Sequence, residues 1–394
     1  MTTEPTTATP PSTSGLGWPA DQSAVPSASD LPVDVRTSSL GWPDVSRETS
    51  AQLPADPGVN AHDDLTAELA TEDAERAAQA AAGLIADELA SSLPTPDDDT
   101  PLAQEVAHDA RRRLVLHGQK LPVPDHTRVL TVANQKGGVG KTTTTVNLAA
   151  ALAMSGLRVL VIDIDPQGNA STALGIPHHS EVNSIYDVLV DGMALADAVQ
   201  ECPDVPNLWC APATIDLAGA EIELVSLVAR ESRLLRALNT YLQARVDAGE
   251  ERIDYVLVDC PPSLGLLTVN AFVAAREVFI PIQCEYYALE GLSQLLRNIE
   301  LIKAHLNPDL HVSTILLTMY DARTRLSAEV AEQVREHFPE VVLRTSIPRS
   351  VRISEAPSHG QTVMTYDPGS SGALTYLEAA KELADRGRRK GTDA

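Results

Sequence analysis

The chain is short of several things, and each shortage closes off a class of function. Its 394 residues hold four cysteines, Cys202, Cys210, Cys260 and Cys284. None forms a close metal-type pair, and their density is too low for a disulfide framework. They read as reduced, mostly buried thiols of a cytosolic protein. Aromatic residues make up only 4%, which argues against base stacking as a mode of nucleic-acid recognition. No run of about 18 or more apolar residues occurs, so no membrane-spanning helix is expected. Residues 1–10 lack the basic start and apolar stretch of a signal peptide. Positive charge is scarce too: 30 Lys and Arg face 54 Asp and Glu, a net charge of −24. That balance opposes non-specific attraction of the whole molecule to DNA or anionic membrane. Any nucleic-acid contact has to come from a local basic patch.

What is present divides the chain unevenly. Residues 1–61 are rich in Thr, Pro, Ser, Ala and Asp and cannot bury enough apolar surface to offset chain entropy, so a largely disordered extension is expected. Within it Leu16-Gly17-Trp18-Pro19 recurs as Leu40-Gly41-Trp42-Pro43. The repeat reads either as drift in a low-complexity tail or as a doubled docking motif with Trp as its anchor. Residues 62–126 read as helical segments and linkers. The stretch 62–92 is rich in Ala and Glu, and 94–100 is a Pro/Asp linker. A further helix opens at Thr100-Pro101, carries Leu102, Val106, Ala110 and Leu114 at four-residue spacing, and stops at Gly118. Residues 1–126 contain 21 acidic and 7 basic side chains, so more than half the net charge sits in this extension and helps keep it solvated.

From Arg128 the pattern changes to apolar β-type runs alternating with helical ones. The β-type runs lie at 129–134, 157–163, 253–259, 277–283, 312–318 and 341–347. A helix is expected over about 142–155, and another over 285–303, where Leu289, Leu292, Leu296, Ile299 and Ile302 recur at helical spacing. Alternation of this kind predicts an α/β fold, with a mostly parallel sheet flanked by helices on both faces. The expected domain spans 127–386, followed by a basic tail over 387–394.

The first strand leads into Gln135-Lys136-Gly137-Gly138-Val139-Gly140-Lys141-Thr142-Thr143. Its end matches the general P-loop pattern, but the usual first glycine falls on Gln135 and an additional cation, Lys136, follows. Glycines let backbone N–H groups turn onto phosphate oxygens, and the following helix adds its dipole. Lys141 can reach the β- and γ-phosphates, the Thr142 hydroxyl can hold Mg²⁺, and Thr143 is placed near the α-phosphate. The run Tyr255-Val256-Leu257-Val258 presents Asp259 at its C-terminal edge, where a P-loop site needs a carboxylate for the metal and its water. The strand 157–162 closes on Asp163-Ile164-Asp165-Pro166-Gln167-Gly168-Asn169. Asp163 and Asp165 are expected on one strand face, where a carboxylate can orient attacking water.

Taken together, the runs KGGVGKTT, DIDPQGNAS and VDCPPSLG resemble the ParA-type chromosome- and plasmid-partitioning ATPases, of the deviant Walker A class of P-loop proteins. Asp321-Ala322-Arg323-Thr324 and the stretch from Ile347 through Pro348-Arg349 to Gly360 are similar as well. The likeness covers about 127–386 and none of residues 1–120. It implies ATP and Mg²⁺ as ligands, with Lys136, Gly137, Gly138, Val139, Gly140, Lys141, Thr142 and Thr143 on the nucleotide. Lys136 would reach across an ATP-bound homodimer to the partner's phosphates. Gly137 would lie where the subunits approach, and Asp165 would position the hydrolytic water. Thr142 would bind the metal and Asp259 would support it through water. Pro348 and Arg349 would lie near the adenine or the dimer face.

The dimer would bind DNA without sequence preference and be released when a centromere-binding, ParB-like partner stimulates hydrolysis. The location implied is cytoplasmic and nucleoid-associated; apart from the resemblance, the doubled LGWP makes a polar scaffold a candidate partner of residues 1–120. For the DNA contact, Arg323, Arg349 and Arg352 are the first candidates, with Arg325 and Arg344 nearby. Asp321, Glu329 and Glu355 dilute that patch, so two copies in a dimer would be needed. The alternative for each arginine is a surface salt bridge.

Three rival readings differ in what they require. A MinD-like membrane-binding regulator of cell division needs a C-terminal amphipathic helix with a large apolar face, and Leu374, Tyr376, Leu377, Ala380 and Leu383 offer little. A nitrogenase-reductase-like electron carrier needs cysteines that bridge a cluster between subunits. A scaffold acting through the tail would use ATP only as a conformational ligand.

Overall fold

The computed structural model describes residues 101–116, 118–286 and 288–391. The doubled tetrapeptide and the Ala/Glu-rich stretch lie outside the described residues. Among the described residues there are eight strands: β1 (Arg128–Val132), β2 (Val159–Asp163), β3 (Gln200–Glu201), β4 (Leu208–Ala211), β5 (Tyr255–Asp259), β6 (Glu277–Gln283), β7 (His311–Tyr320) and β8 (Val342–Pro348). They form one sheet in the order β3-β4-β2-β5-β1-β6-β7-β8. Every pairing is parallel except the short one between β3 and β4. The six β-type runs in the sequence each match one of these strands.

The longer helices are α1 (Pro101–Leu116), α2 (Lys141–Met154), α3 (Leu217–Leu224), α4 (Arg233–Asp247), α5 (Leu266–Ala274), α6 (Ala288–His305), α7 (Arg325–His337) and α8 (Ser371–Gly391). Side chains alternate between the two sides of the sheet, and each side buries its own core. Ile162, Val258, Ile280 and Leu317 pack with Leu238, Phe272, Leu292 and Val334 of α4, α5, α6 and α7. Val161, Leu257, Phe279 and Leu316 pack with Leu148, Leu152, Tyr376 and Leu383 of α2 and α8. Burial on both faces is why these strands read as continuous apolar runs rather than alternating ones. All four cysteines are buried free thiols.

Two features at the C-terminal end differ from the sequence expectation or sharpen it. The basic residues do not form a tail set apart at 387: α8 continues as helix through Gly391. The Arg386 guanidinium just before that point donates to the Val342 carbonyl at 2.7 Å and to Glu382 at 2.7 Å, which ties α8 to the edge strand β8. The apolar face of α8 is committed to the core, since Leu374, Tyr376, Ala380 and Leu383 are all buried. Among the described residues, no helix is long and apolar enough to cross a membrane.

Helix α1 is docked onto this same helix. Arg112 of α1 grips Glu378 of α8 with two bonds of 2.8 Å, and its Nη2 also donates to the Thr375 hydroxyl at 3.1 Å. The fork geometry makes this stronger than an ordinary surface pair.

The sheet and α8 are also joined through one buried ion pair. Arg128 of β1 meets Glu277 of β6 through bonds of 2.8 and 2.6 Å, and its third nitrogen donates to the Tyr255 hydroxyl at 3.2 Å and the Leu383 carbonyl at 3.0 Å. Deleting one member strands the other charge in the interior. Glu277→Ala should therefore cost about 3–5 kcal/mol in urea unfolding, and Arg128→Met with Glu277→Leu should recover most of it. A single-variant loss under about 1 kcal/mol would show that water reaches the pair and screens it.

Candidate nucleotide and catalytic site

The order of strands reverses at β1: β2 lies on one side of it, beyond β5, while β6, β7 and β8 continue on the other. Such a reversal leaves a crevice outside the C-terminal ends of the strands, where α/β sheets bind ligands. The glycine loop leaves β1 at this point. Asn134 ties its mouth to β6, donating from Nδ2 to the Pro281 carbonyl at 2.8 Å and accepting from the Lys136 N–H at 3.0 Å. Gly138 and Gly140 sit at φ +73° and +85°, a left-handed backbone that only glycine adopts at little cost. The Thr318 hydroxyl of β7 donates to the Val139 carbonyl at 2.9 Å and pins the crest of the loop. Helix α2 then starts at Lys141, so its free N–H groups and the positive end of its dipole face the loop.

The two loop lysines occupy different places. Lys141 is buried, and its amine donates to the Lys136 carbonyl at 3.3 Å. Burial lowers its pKa, and the charges of Asp259 and Asp165 oppose that effect. Lys136 is instead 38% exposed and pairs with Glu285, two residues past the end of β6, at 2.9 Å.

Asp259 is fully buried, and two hydroxyls of α2 hold its carboxylate. Thr142 donates at 2.7 Å and Thr145 at 3.0 Å. Thr145 escaped the sequence reading. It lies one helical turn beyond Thr142, and that i,i+3 spacing puts both hydroxyls on one face. Burial pushes the Asp259 carboxyl above the usual carboxylate range, and the neighbouring Asp163 pushes it further.

Asp163 is paired in register with Asp259 on the adjacent strand. Its own oxygens are occupied, accepting the Ser171 N–H at 2.9 Å, the Ser171 hydroxyl at 2.7 Å and the Asp165 N–H at 3.2 Å. The expectation that Asp163 and Asp165 share a strand face is therefore corrected. The strand ends at Asp163 and the chain turns, so side-chain alternation stops there. Asp163 braces the turn. Asp165, also buried, lies near Lys141, and its Oδ1 accepts the Gln167 N–H at 3.1 Å.

These residues fit a magnesium-bound triphosphate. The loop and the start of α2 supply N–H donors, Lys141 supplies a cation, and Thr142 with Asp259 supplies hard oxygens. A divalent cation would also relieve the repulsion between the buried Asp163 and Asp259.

Pro348 and Arg349 lie at the C-terminal edge of the same sheet, two strands beyond β6. Pro348 is in register with Tyr320, and the Arg349 N–H donates to the Tyr320 carbonyl at 3.1 Å. The candidate DNA arginines all have acidic neighbours. Arg323 makes two bonds to Asp321, at 2.9 and 3.0 Å. Arg352 stands between Glu355 at 3.3 Å and Asp367 at 3.4 Å. Arg349 is exposed and helps hold the Asp321 carboxyl below its ordinary range, after the larger effect of Arg323.

Comparison with known proteins agrees with this geometry. A family model described as an AAA domain matches residues 127–312. The sporulation initiation inhibitor protein Soj of Bacillus subtilis is 54% identical over 260 residues, covering 66% of this chain and 99% of Soj. The chromosome partitioning protein ParA of Caulobacter vibrioides is 50% identical over 261 residues, or 66% of this chain and 95% of that one. The chain belongs to the ParA/Soj family of chromosome-partitioning ATPases.

Solved structures extend the likeness within this wider group. Cobyrinic acid a,c-diamide synthase from Mycobacterium smegmatis, solved with ADP and magnesium, is 39% identical with a TM-score of 0.55, covering 67% of this chain and 96% of that one. The cell division ATPase MinD of Pyrococcus furiosus is 27% identical with a TM-score of 0.53, covering 66% and 98%. Helix α1 precedes the residues that the AAA-domain family model matches, and Arg112 holds it to α8.

The buried aspartates give the free protein a pH signature. Both carboxyls keep their proton to higher pH when folded than when unfolded. The folded state therefore binds more protons in the interval, and stability falls as pH rises. The urea midpoint of the nucleotide-free protein should decline from about pH 5 toward pH 8. Asp259→Asn should make that decline shallower, and an identical slope in wild type and variant would show that this carboxyl does not drive it.

Proposed function

We propose that this ParA-family chain is an ATP-driven segregation switch in which Mg²⁺-ATP joins two copies and the joined form binds DNA. The observation that carries the reading is the separation of the two loop lysines. Lys141 lies inside the cradle, while Lys136 projects from it and is partly exposed. A lysine directed out of its own site is placed to serve a second one. Gly137 supports the same view. It has no positive φ, and a Cβ there would meet nothing within 4 Å, so nothing in this chain requires glycine. A closely approaching second subunit would.

In this reading Thr142 would hold Mg²⁺ with support from Asp259, and the bound ion would supply positive charge against the phosphates. Asp165 orients the attacking water by accepting its hydrogen bond and takes up the proton that the water loses as its oxygen adds to the γ-phosphorus, the bond to the β,γ-bridging oxygen breaks and ADP leaves. Lys136 of one copy and Lys141 of the other stabilise the developing charge. Dimerisation also doubles the arginine patch, so DNA binding follows ATP even though the chain is acidic. A ParB-like partner that stimulates hydrolysis would reverse both steps. The rival membrane reading requires a free apolar face on α8, and that face is buried.

Two experiments test the switch. Lys136→Ala should leave ATP binding intact while abolishing ATP-dependent dimers and hydrolysis. Asp165→Ala should keep the dimer while lowering turnover at least about a hundredfold, in the range typical of a lost proton-handling group. ATP dimers formed by Lys136→Ala would refute the cross-subunit role, and unchanged turnover in Asp165→Ala would refute water positioning.

The DNA surface is tested separately. Arg352→Glu should weaken ATP-dependent DNA binding and flatten its dependence on salt, by about 0.9 in the log–log slope for each phosphate no longer neutralised. An unchanged slope would place the DNA surface elsewhere. ATP-dependent flotation with anionic liposomes would favour the MinD-like alternative instead.

A further inference from the structure

We propose that Glu285 is a positioning residue for Lys136: it holds the amine against its own subunit until a nucleotide-loaded second copy draws it away. The inference rests on the cross-subunit role of Lys136 given above. Its basis is a clamp that no motif contains. Glu285 Oε2 accepts from the Lys136 amine at 2.9 Å, while its Oε1 accepts from Gln283 Nε2 at 2.5 Å. The backbone of Glu285 is fixed as well, donating to the Gln283 carbonyl at 2.8 Å and accepting from the Ala288 N–H, at the start of α6, at 3.0 Å.

Lys136 is anchored to the same strand from its own side. Its N–H is held by Asn134, whose side chain is bonded to the Pro281 carbonyl of β6. Both partners are therefore tied to one rigid element before they meet, which reduces the ordering cost that weakens most surface pairs. The two side chains are 38% and 45% exposed, so the pair can open without unpacking the core.

A second consequence concerns the cradle itself. While Lys136 is held outward its amine stays off the phosphates of its own loop, and its carbonyl remains available to the Lys141 amine. The clamp thus keeps one cation inside the site and the other at the surface. Forming a symmetric dimer opens two such clamps, one in each copy. An exposed ion pair changes an equilibrium by roughly 1.4- to 5-fold, so two together set the dimerisation midpoint by roughly two- to thirty-fold.

The experiment is sedimentation of the full chain with Mg²⁺ and a non-hydrolysable ATP analogue over a range of protein concentrations. Glu285→Gln should dimerise at a concentration about two- to thirty-fold lower than wild type. Gln283→Leu, which frees one carboxylate oxygen, should shift the midpoint in the same direction by less. The difference between Glu285→Gln and wild type should vanish near 1 M salt, where the Debye length falls to about 3 Å. A merely structural role for Glu285 would not produce that convergence. Equal or weaker dimerisation of both variants at low salt would overturn the proposal. Lys136→Ala separates the two levels. If it still dimerises, the cross-subunit reading falls. If it does not, and Glu285→Gln matches wild type, only the clamp falls.

Discussion

Two buried carboxylates in register on neighbouring strands, Asp163 and Asp259, are the constraint around which the site is arranged. Like charges side by side in an interior are costly unless each finds donors or one keeps its proton. Asp163 is given Ser171 and the Asp165 N–H, which fixes the turn that carries Asp165. Asp259 is given Thr142 and Thr145, which fixes the first turn of α2 and with it the phosphate loop. The repulsion is answered locally by geometry, and the geometry is what a magnesium–triphosphate complex needs. A bound cation would make full ionisation of both groups favourable, so ligand binding and local stability are coupled through the same oxygens.

The same economy of charge governs the surface. The net charge is −24, yet the proposed function includes contact with a polyanion. Two of the arginines that could steer the free chain to DNA are paired, Arg323 with Asp321 and Arg352 with Glu355 and Asp367. Exposed pairs of this kind are weak and open readily. A single copy then offers few counterion-releasing contacts, while two copies offer twice as many, and affinity depends steeply on that number. Under the proposed function, an acidic chain with paired arginines would bind DNA conditionally, where a basic one would bind always.

Much of this was legible in the sequence because parallel strands buried on both faces appear as unbroken apolar runs. Val129-Leu130-Thr131-Val132 and Tyr255-Val256-Leu257-Val258 announced themselves in this way, as did the glycine loop between a strand and a helix. β3 and β4 did not, since two and four residues are too short to show a period. Asp163 and Asp165 misled because alternation was extended two residues past the strand end at Asp163. Thr145 was hidden in a run of four threonines, where only the helical turn separates those that reach Asp259 from those that do not. Glu285 was invisible because it meets Lys136 across 149 positions, and no local pattern encodes a contact between loops on neighbouring strands.

The position of α8 explains how α1 and the family domain can act as one body. The apolar face of α8 fills one of the two cores, Arg386 ties it to the edge strand, and its Glu378 receives Arg112 of α1. Helix α1 lies before the residues that the family model matches and α8 lies after them, and the bidentate pair joins the two helices. It costs the scaffold little, since Glu378 and Thr375 are not part of the buried apolar stripe of Leu374, Tyr376 and Leu383. The chain thus enters the domain from a fixed place against α8.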